Sequence, residues 1–335
     1  MNDLQNQLFE TVRQRAQNPK RWIDEVAEVL CKSKHAIYKK IQGEVCLSLD
    51  EVVTLATHYR LHLDPLIRPG TVLSFEFPFQ NNSYHYTEYL ANIHAQIEMA
   101  RSLPEVRIWH TGIELPFIHD HLFPDLVAFK FFIHSQTIWA DKVREHTRFD
   151  LGESRKDARL SKLLKEILRA YYKFPTIEIW NSMILDITLS QIRYALQSRM
   201  LAQPEDAITL CDKLDSFITH MELMAERGYK FIPGESPGAE FELYHNEIAH
   251  SINVLLLKSG RGDVLYLGFA NPQFMYSHTG PATENTDRWL HMLRSNATPI
   301  TRESRKERLA FFGALQKKVA RARAEIEVIM KMNEL

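Results

Sequence analysis

The chain has 335 residues, 45% of them hydrophobic and 25% charged, with a formal net charge of −1. That balance suits one large or two ordinary globular domains, and it excludes a polycation that holds nucleic acid through bulk charge. The scattered Cys31, Cys46 and Cys211 argue against a disulfide framework and against a zinc ribbon, and suit a reducing cytosol.

The N-terminus, MNDLQNQLFETVRQ, carries acid early and lacks the apolar core of a signal peptide. No apolar run approaches the ~18 residues of a transmembrane helix, so cytoplasmic residence is expected. Leu4, Leu8 and Val12 suggest a first amphipathic helix, which Asn18-Pro19 ends. Ile23, Val26, Ala27 and Leu30 form a second apolar stripe. Ser33 is the expected N-cap of a third helix, with Ile37 and Ile41 inward and Gly43 closing it. Ser48-Leu49-Asp50-Glu51 has the pattern of a capping box and opens a fourth.

Residues 69 to 86 hold Pro69, Gly70, Pro78 and alternating aromatics, and read as a linker. Beyond them, helices are expected over Thr87 to Arg101, Pro124 to Thr147, Arg155 to Tyr172, Ile177 to Met200 and Pro204 to Arg227. The period then changes. Phe241 to Lys258 and Asp263 to Ala270 read as strands joined by the turn Ser259-Gly260-Arg261-Gly262. Asp287 to Ser295 and Arg302 to Met332 are helical again. The expected fold is mainly α: an N-terminal helical domain over 1–68, then a larger helical domain over 87–335 with a small antiparallel β-meander near 241–270.

Lys32 to Lys40 holds four lysines and no acid. Two helices joined by a tight turn, the second basic on its outer face, make a helix-turn-helix. A face that enters the major groove must carry no acid, because phosphates line both walls. Lys34, His35, Tyr38 and Lys39 fall on that face, with Ser33 at its start. Arg21, Lys32 and Lys40 are the candidate phosphate contacts.

VAEVLCKSKHAIYKKIQG and LSLDEVVTLATHYRLHLDPLI resemble the helix-turn-helix and following helix of the lambda-repressor-like regulators. The resemblance covers residues 22 to 67, about the first fifth of the chain. It implies that Val26-Ala27 are the packed pair and that Lys34 and His35 begin the recognition helix. Cys31 stands where that family often has Gly, and Lys40 and Ile41 replace its usual Glu and Trp. EFELYHNEI and SNATPITRESRKERLAFF resemble more faintly the second domain of uncharacterised bacterial regulators, which implies architecture and no chemistry.

Other constellations carry less. His110, His119 and His121, with Glu114 and Asp120, crowd one segment without the spacing of a metal site. His245 and His250 are wrongly spaced for a zinc helix. No phosphate loop or nucleophile elbow is present, and no Ala-Gly bond that a self-cleaving repressor would need. No metal, cofactor or enzymatic activity is expected. The aromatic run FKFF at 129 to 132 is expected deep in the core. The last helix, with Leu309, Phe312, Leu315 and Val319 in line, is expected to pack by that stripe. The expectation is a homodimeric, bacterial-type transcription regulator of double-stranded DNA, its C-terminal domain available to an unidentified small-molecule effector. The alternative is an antitoxin-like module that binds a protein partner.

Overall fold

A computed structural model describes the chain except residues 1–2, 17, 60, 62, 64–65, 67–72, 74, 77–85, 138, 140–146, 249–251, 271 and 334–335. Most of the expected linker therefore lies outside the described residues, as do His250 and much of the stretch expected to extend a helix to Thr147. Two compact units are present. One comprises 1–75 with 279–282, the other 76–278 with 283–335.

The N-terminal unit is helical: α1 (Asp3–Arg15), α2 (Trp22–Val29), α3 (Lys34–Ile41) and α4 (Leu49–His58). Its core gathers Leu8, Phe9, Val12, Val26, Leu30, Ile37 and Leu55, while Leu4 is exposed. The local signals act as their chemistry requires. Ser33 accepts the Ala36 amide at 3.3 Å and caps α3. Ser48 and Glu51 form a reciprocal capping box at the start of α4. Two Schellman motifs end α2 and α3. After α2, Cys31 N–H donates to Glu28 O and Lys32 N–H to Ala27 O; after α3, Gly43 N–H donates to Lys40 O and Glu44 N–H to Lys39 O. Both motifs need a left-handed residue. Gly43 supplies it at φ 75°, but Cys31 adopts φ 51° with a side chain attached, a conformation that costs a non-glycine residue about 1 kcal/mol.

Gln5 of α1 ties the unit together in a way that periodicity cannot reveal. Its amide nitrogen donates to Lys40 O at 2.6 Å and Val45 O at 3.0 Å, and its oxygen accepts the Leu47 amide at 2.8 Å. One side chain so satisfies the end of α3 and the connection to α4.

The second unit overturns the expectation of a mainly α fold with a small antiparallel meander. It contains a seven-stranded mixed sheet in the order β6-β5-β4-β1-β2-β3-β7. The strands are β1 (Arg107–Thr111), β2 (Thr176–Trp180), β3 (Phe241–His245), β4 (Val254–Lys258), β5 (Val264–Ala270), β6 (Gln273–Ser277) and β7 (Thr298–Pro299). β1 pairs parallel to β2, and β2 parallel to β3; the remaining pairs are antiparallel. The stretch expected as one strand from Phe241 to Lys258 is two strands that do not pair with each other. β2 lies where a helix was expected from Ile177.

The helices of this unit are α5 (Tyr86–Arg101), α6 (Phe117–Asp120), α7 (Pro124–Ser135), α8 (Leu151–Ser154), α9 (Ala158–Tyr171), α10 (Asp186–Gln197), α11 (Asp206–Arg227), α12 (Gly280–Ser295) and α13 (Arg305–Asn333). Strand alternation assigns the faces. Ile108, Trp180, Phe241, Leu243 and Leu257 join one core with residues of α5, α7, α9, α10, α11 and α13. Trp109 points the other way, onto α12, where its ring lies 4.7 Å from that of His291 and 5.8 Å from the Arg294 guanidinium carbon. Phe129, Phe131 and Phe132 are buried as expected. So are Phe312, Leu315 and Val319 of the last helix, whereas Leu309 is exposed.

Candidate functional site

Of the candidate contacts on and around α3, Lys32, Ser33, Lys34, His35, Tyr38 and Lys39 are exposed. Tyr38 keeps 48% of its surface, although a core-packing aromatic would lose most of it. α3 has no acid in its first turn and ends on Lys39 and Lys40. Its first-turn amides sit at the positive end of the helix dipole, and Ser33 caps one of them.

Three residues depart from a simple basic face. Lys40 is buried. Its ammonium donates to Glu51 Oε2 and to Cys46 O, each at 2.9 Å. That carboxylate oxygen also accepts the Ser48 amide at 2.7 Å, so Lys40 holds the capping box rather than facing outward as expected for a phosphate contact. Burial opposes ionisation of Glu51, but the Ser48 amide and Lys40 together keep its pKa below the ordinary value. Lys34 and Arg21 remain exposed, yet both reach Asp24, at 2.5 Å and 3.3 Å. The Lys34 ammonium is the main cause that holds the Asp24 carboxyl below its usual pKa. Asp24, Glu25 and Glu28 also line an open cleft between α2 and α4, with Asn18, Val53 and His58 among its other walls.

The larger unit brings together the histidine-rich segment. On the helical face of the sheet, His110 of β1 stands in register with Glu178 of β2. Glu178 accepts His119 Nε2 at 2.7 Å and Trp180 Nε1 at 3.0 Å, and His119 Nδ1 lies 3.1 Å from the Tyr172 hydroxyl. Burial opposes the Glu178 charge, but His119, His110 and Lys230 keep its pKa below the ordinary value. Lys230 donates to Thr176 Oγ1 at 3.1 Å and to Phe174 O. Its burial pushes its pKa down to about 7. The side chains of His119 and Glu178 have no exposed surface, so this chain of hydrogen bonds fastens the sheet to its helices and offers a substrate no approach to the carboxylate.

Beside it, His110, Glu114, Asp120, Lys130, His134 and Asn253 surround a cavity of about 30 Å³. Burial raises the Asp120 pKa to about 7 and lowers those of His110 and His134 to about 4 and about 3. Among the described residues, no group of three or more His, Cys, Asp or Glu is placed to hold a metal ion. His245 pairs with Glu247 at 2.6 Å, and Glu247 accepts the Ser182 amide and hydroxyl. Among the described residues no helix is long and apolar enough to cross a membrane.

Comparison with family models, with curated proteins and with solved structures finds no match to the chain.

Proposed function

We propose that the protein is a sequence-specific DNA-binding transcription regulator that reads the major groove with the exposed face of α3. The observation that carries this reading is the surface of Lys32, Lys34, His35, Tyr38 and Lys39, free of acid within α3 and presented after a tight turn. Lys34, His35, Tyr38 and Lys39 face the base edges, and Lys32 and Arg21 the phosphates. Ser33 serves the interface by fixing the helix start, and Lys40 by supporting it from beneath.

A single module of this size gives limited area for tight specific binding. The reading therefore includes a homodimer, formed through residues 87 to 335, on an operator of two half-sites. An effector bound by the larger unit would act by favouring one dimer geometry over another. A monomeric protein at micromolar concentration in sedimentation would remove this part of the proposal.

The test is an electrophoretic selection from random duplexes. Enrichment of a pseudo-palindrome is expected, and enrichment of no sequence would count against specific readout. A second reading, a protein-binding module, is favoured by one feature. The cleft lined by Asp24, Glu25 and Glu28 would repel phosphate and suit a basic peptide. Under that reading a Lys34→Glu, Lys39→Glu variant would keep its partner.

A further inference from the structure

The small cavity in the larger unit has more polar groups around it than it has partners for them. His110 Nδ1, Asp120 Oδ1, His134 Nδ1 and Asn253 Oδ1 are each shut away from solvent without a hydrogen-bond partner, and all four residues line the same space. His110, Asp120 and His134 are each at least nine-tenths buried. A buried polar atom left unmet costs on the order of 1–3 kcal/mol. Four such atoms around one cavity would consume much of the 5–15 kcal/mol of stability typical of a folded domain. They come from separate elements: His110 from β1, Asp120 from α6, His134 from α7, and Asn253 from the residue before β4. Gly112 gives Asn253 its place, because a Cβ there would collide with the Asn253 side-chain oxygen.

We propose that this cavity is a built binding site for internal water, one or two molecules that donate to and accept from His110, Asp120, His134 and Asn253. The size selects the guest. About 30 Å³ exceeds the roughly 10–15 Å³ a single water needs and excludes ligands of several heavy atoms. The chemistry selects it as well. A neutral imidazole nitrogen donates or accepts according to its tautomer and the Asn253 oxygen accepts, which calls for a guest that can do both. The Lys130 ammonium lines the same wall, donating to Gln191 Oε1 at 2.8 Å and lying 3.7 Å from Glu114 Oε1. A cation beside it would be repelled, and an anion would face the Asn253 oxygen and the Glu114 and Asp120 carboxyls. Water meets both demands, and it links the β1 end of the sheet to α6 and α7 where β1 adjoins the antiparallel β4.

A crystal structure of the intact protein at about 1.5 Å tests this, read with the stability of two variants. The expected density is one or two solvent peaks within about 2.6–3.2 Å of Asp120 Oδ1 and of at least one of the two histidine nitrogens, the range of a hydrogen bond. An empty cavity would overturn the proposal. So would a peak with anomalous signal at about 2.0–2.2 Å from its neighbours, the spacing of a transition metal. The variants read the same question in solution. His134→Phe removes a water partner, so its melting temperature should fall, whereas in a dry cavity it removes an unmet polar atom and should rise. Asp120→Asn keeps the acceptor and should melt within a degree or two of the parent below pH 7. Should His134→Phe not fold, the structure of the unaltered protein decides alone.

Discussion

The two units keep their charges in opposite ways. In the helical unit most ionisable groups sit outside, although Tyr59 is buried, and the lysine taken inward, Lys40, meets Glu51 and a carbonyl at once. In the sheet unit the interior itself is ionisable: Glu178, His119, His110, Asp120, His134 and Lys230 all lie under the helices. Exposed charge is cheap to keep and free to meet a partner. Buried charge must be satisfied within the fold, so it fastens elements together and makes stability depend on protonation. Under the proposed function, recognition belongs to the first unit, while the second is a frame whose stability depends on pH.

The sharpest way to break the contrast is His119→Leu. It leaves Glu178 buried beside one lost donor, and removing one partner of a buried pair costs about 3–5 kcal/mol. Chemical denaturation should show that loss in the sheet unit. A change under about 1 kcal/mol would mean that the network contributes little.

Acidification comes next. Burial lowers the pKa of His110 and His220 to about 4, and of His121 and His134 to about 3, from the ordinary 6.5. These groups are neutral when folded and take up protons when unfolded, so their stability is present above pH 6.5 and lost as pH falls toward 3–4. Asp120 runs the other way. Its pKa is raised from 3.8 to about 7, so its contribution is present at low pH and lost as pH rises to 7. Asp206 and Glu222, which burial also raises, run with Asp120, and the four histidines outweigh these carboxyls to give a net loss below pH 6.5. In the helical unit Asp24 and Glu51 are both lowered and act only in the carboxylate range, while Tyr59 is raised by burial and acts only at alkaline pH. Melting curves between pH 8 and pH 5 should therefore show the sheet unit weakening while the helical unit holds.

A smaller effect separates support from contact within α3. Lys40→Met should destabilise the helical unit by about 2 kcal/mol, since the partly exposed Glu51 is then left with fewer donors. The salt dependence of DNA binding should stay unchanged. A shallower salt slope would return Lys40 to the phosphate contacts. The smallest effect is at Cys31. Cys31→Gly relieves a left-handed side chain but loosens the unfolded chain, for a net gain of roughly 0.5 kcal/mol, visible as a slightly higher melting temperature.

How far the sequence discloses each unit follows the same division. The helical unit is legible because its signals are local. Ser33, Gly43 and the Ser48 capping box each act within four residues of themselves, and Ile37 declares its face by spacing alone. The sheet is not legible in that way. RIWHT and TIEIW are short, largely enclosed strands that pair in parallel with each other across about 70 residues of chain, and each carries a polar residue, His110 or Glu178, on its buried face. A charged residue in mid-strand reads as exposure until its distant partner is known. Pro175 before β2 and Asn181-Ser182 after it were the available cues that the helical pattern from Ile177 was a strand first. Lys40 hid for the same reason, since its pairing with Glu51 follows from the fold of α4 against α3. The basic run is legible as composition; which lysines face outward is not.

The most direct measurement is a fluorescence-anisotropy titration of the intact protein on a duplex at several salt concentrations, beside a Lys34→Glu, Lys39→Glu variant. Each phosphate contact contributes about −0.9 to the slope of log affinity against log salt. With Arg21 and Lys32 on phosphates, the slope should reach about −2 per protomer, and the variant should lose measurable binding while melting as the parent does. Binding with a flat salt slope, or with equal strength in parent and variant, would contradict recognition of DNA by the α3 face.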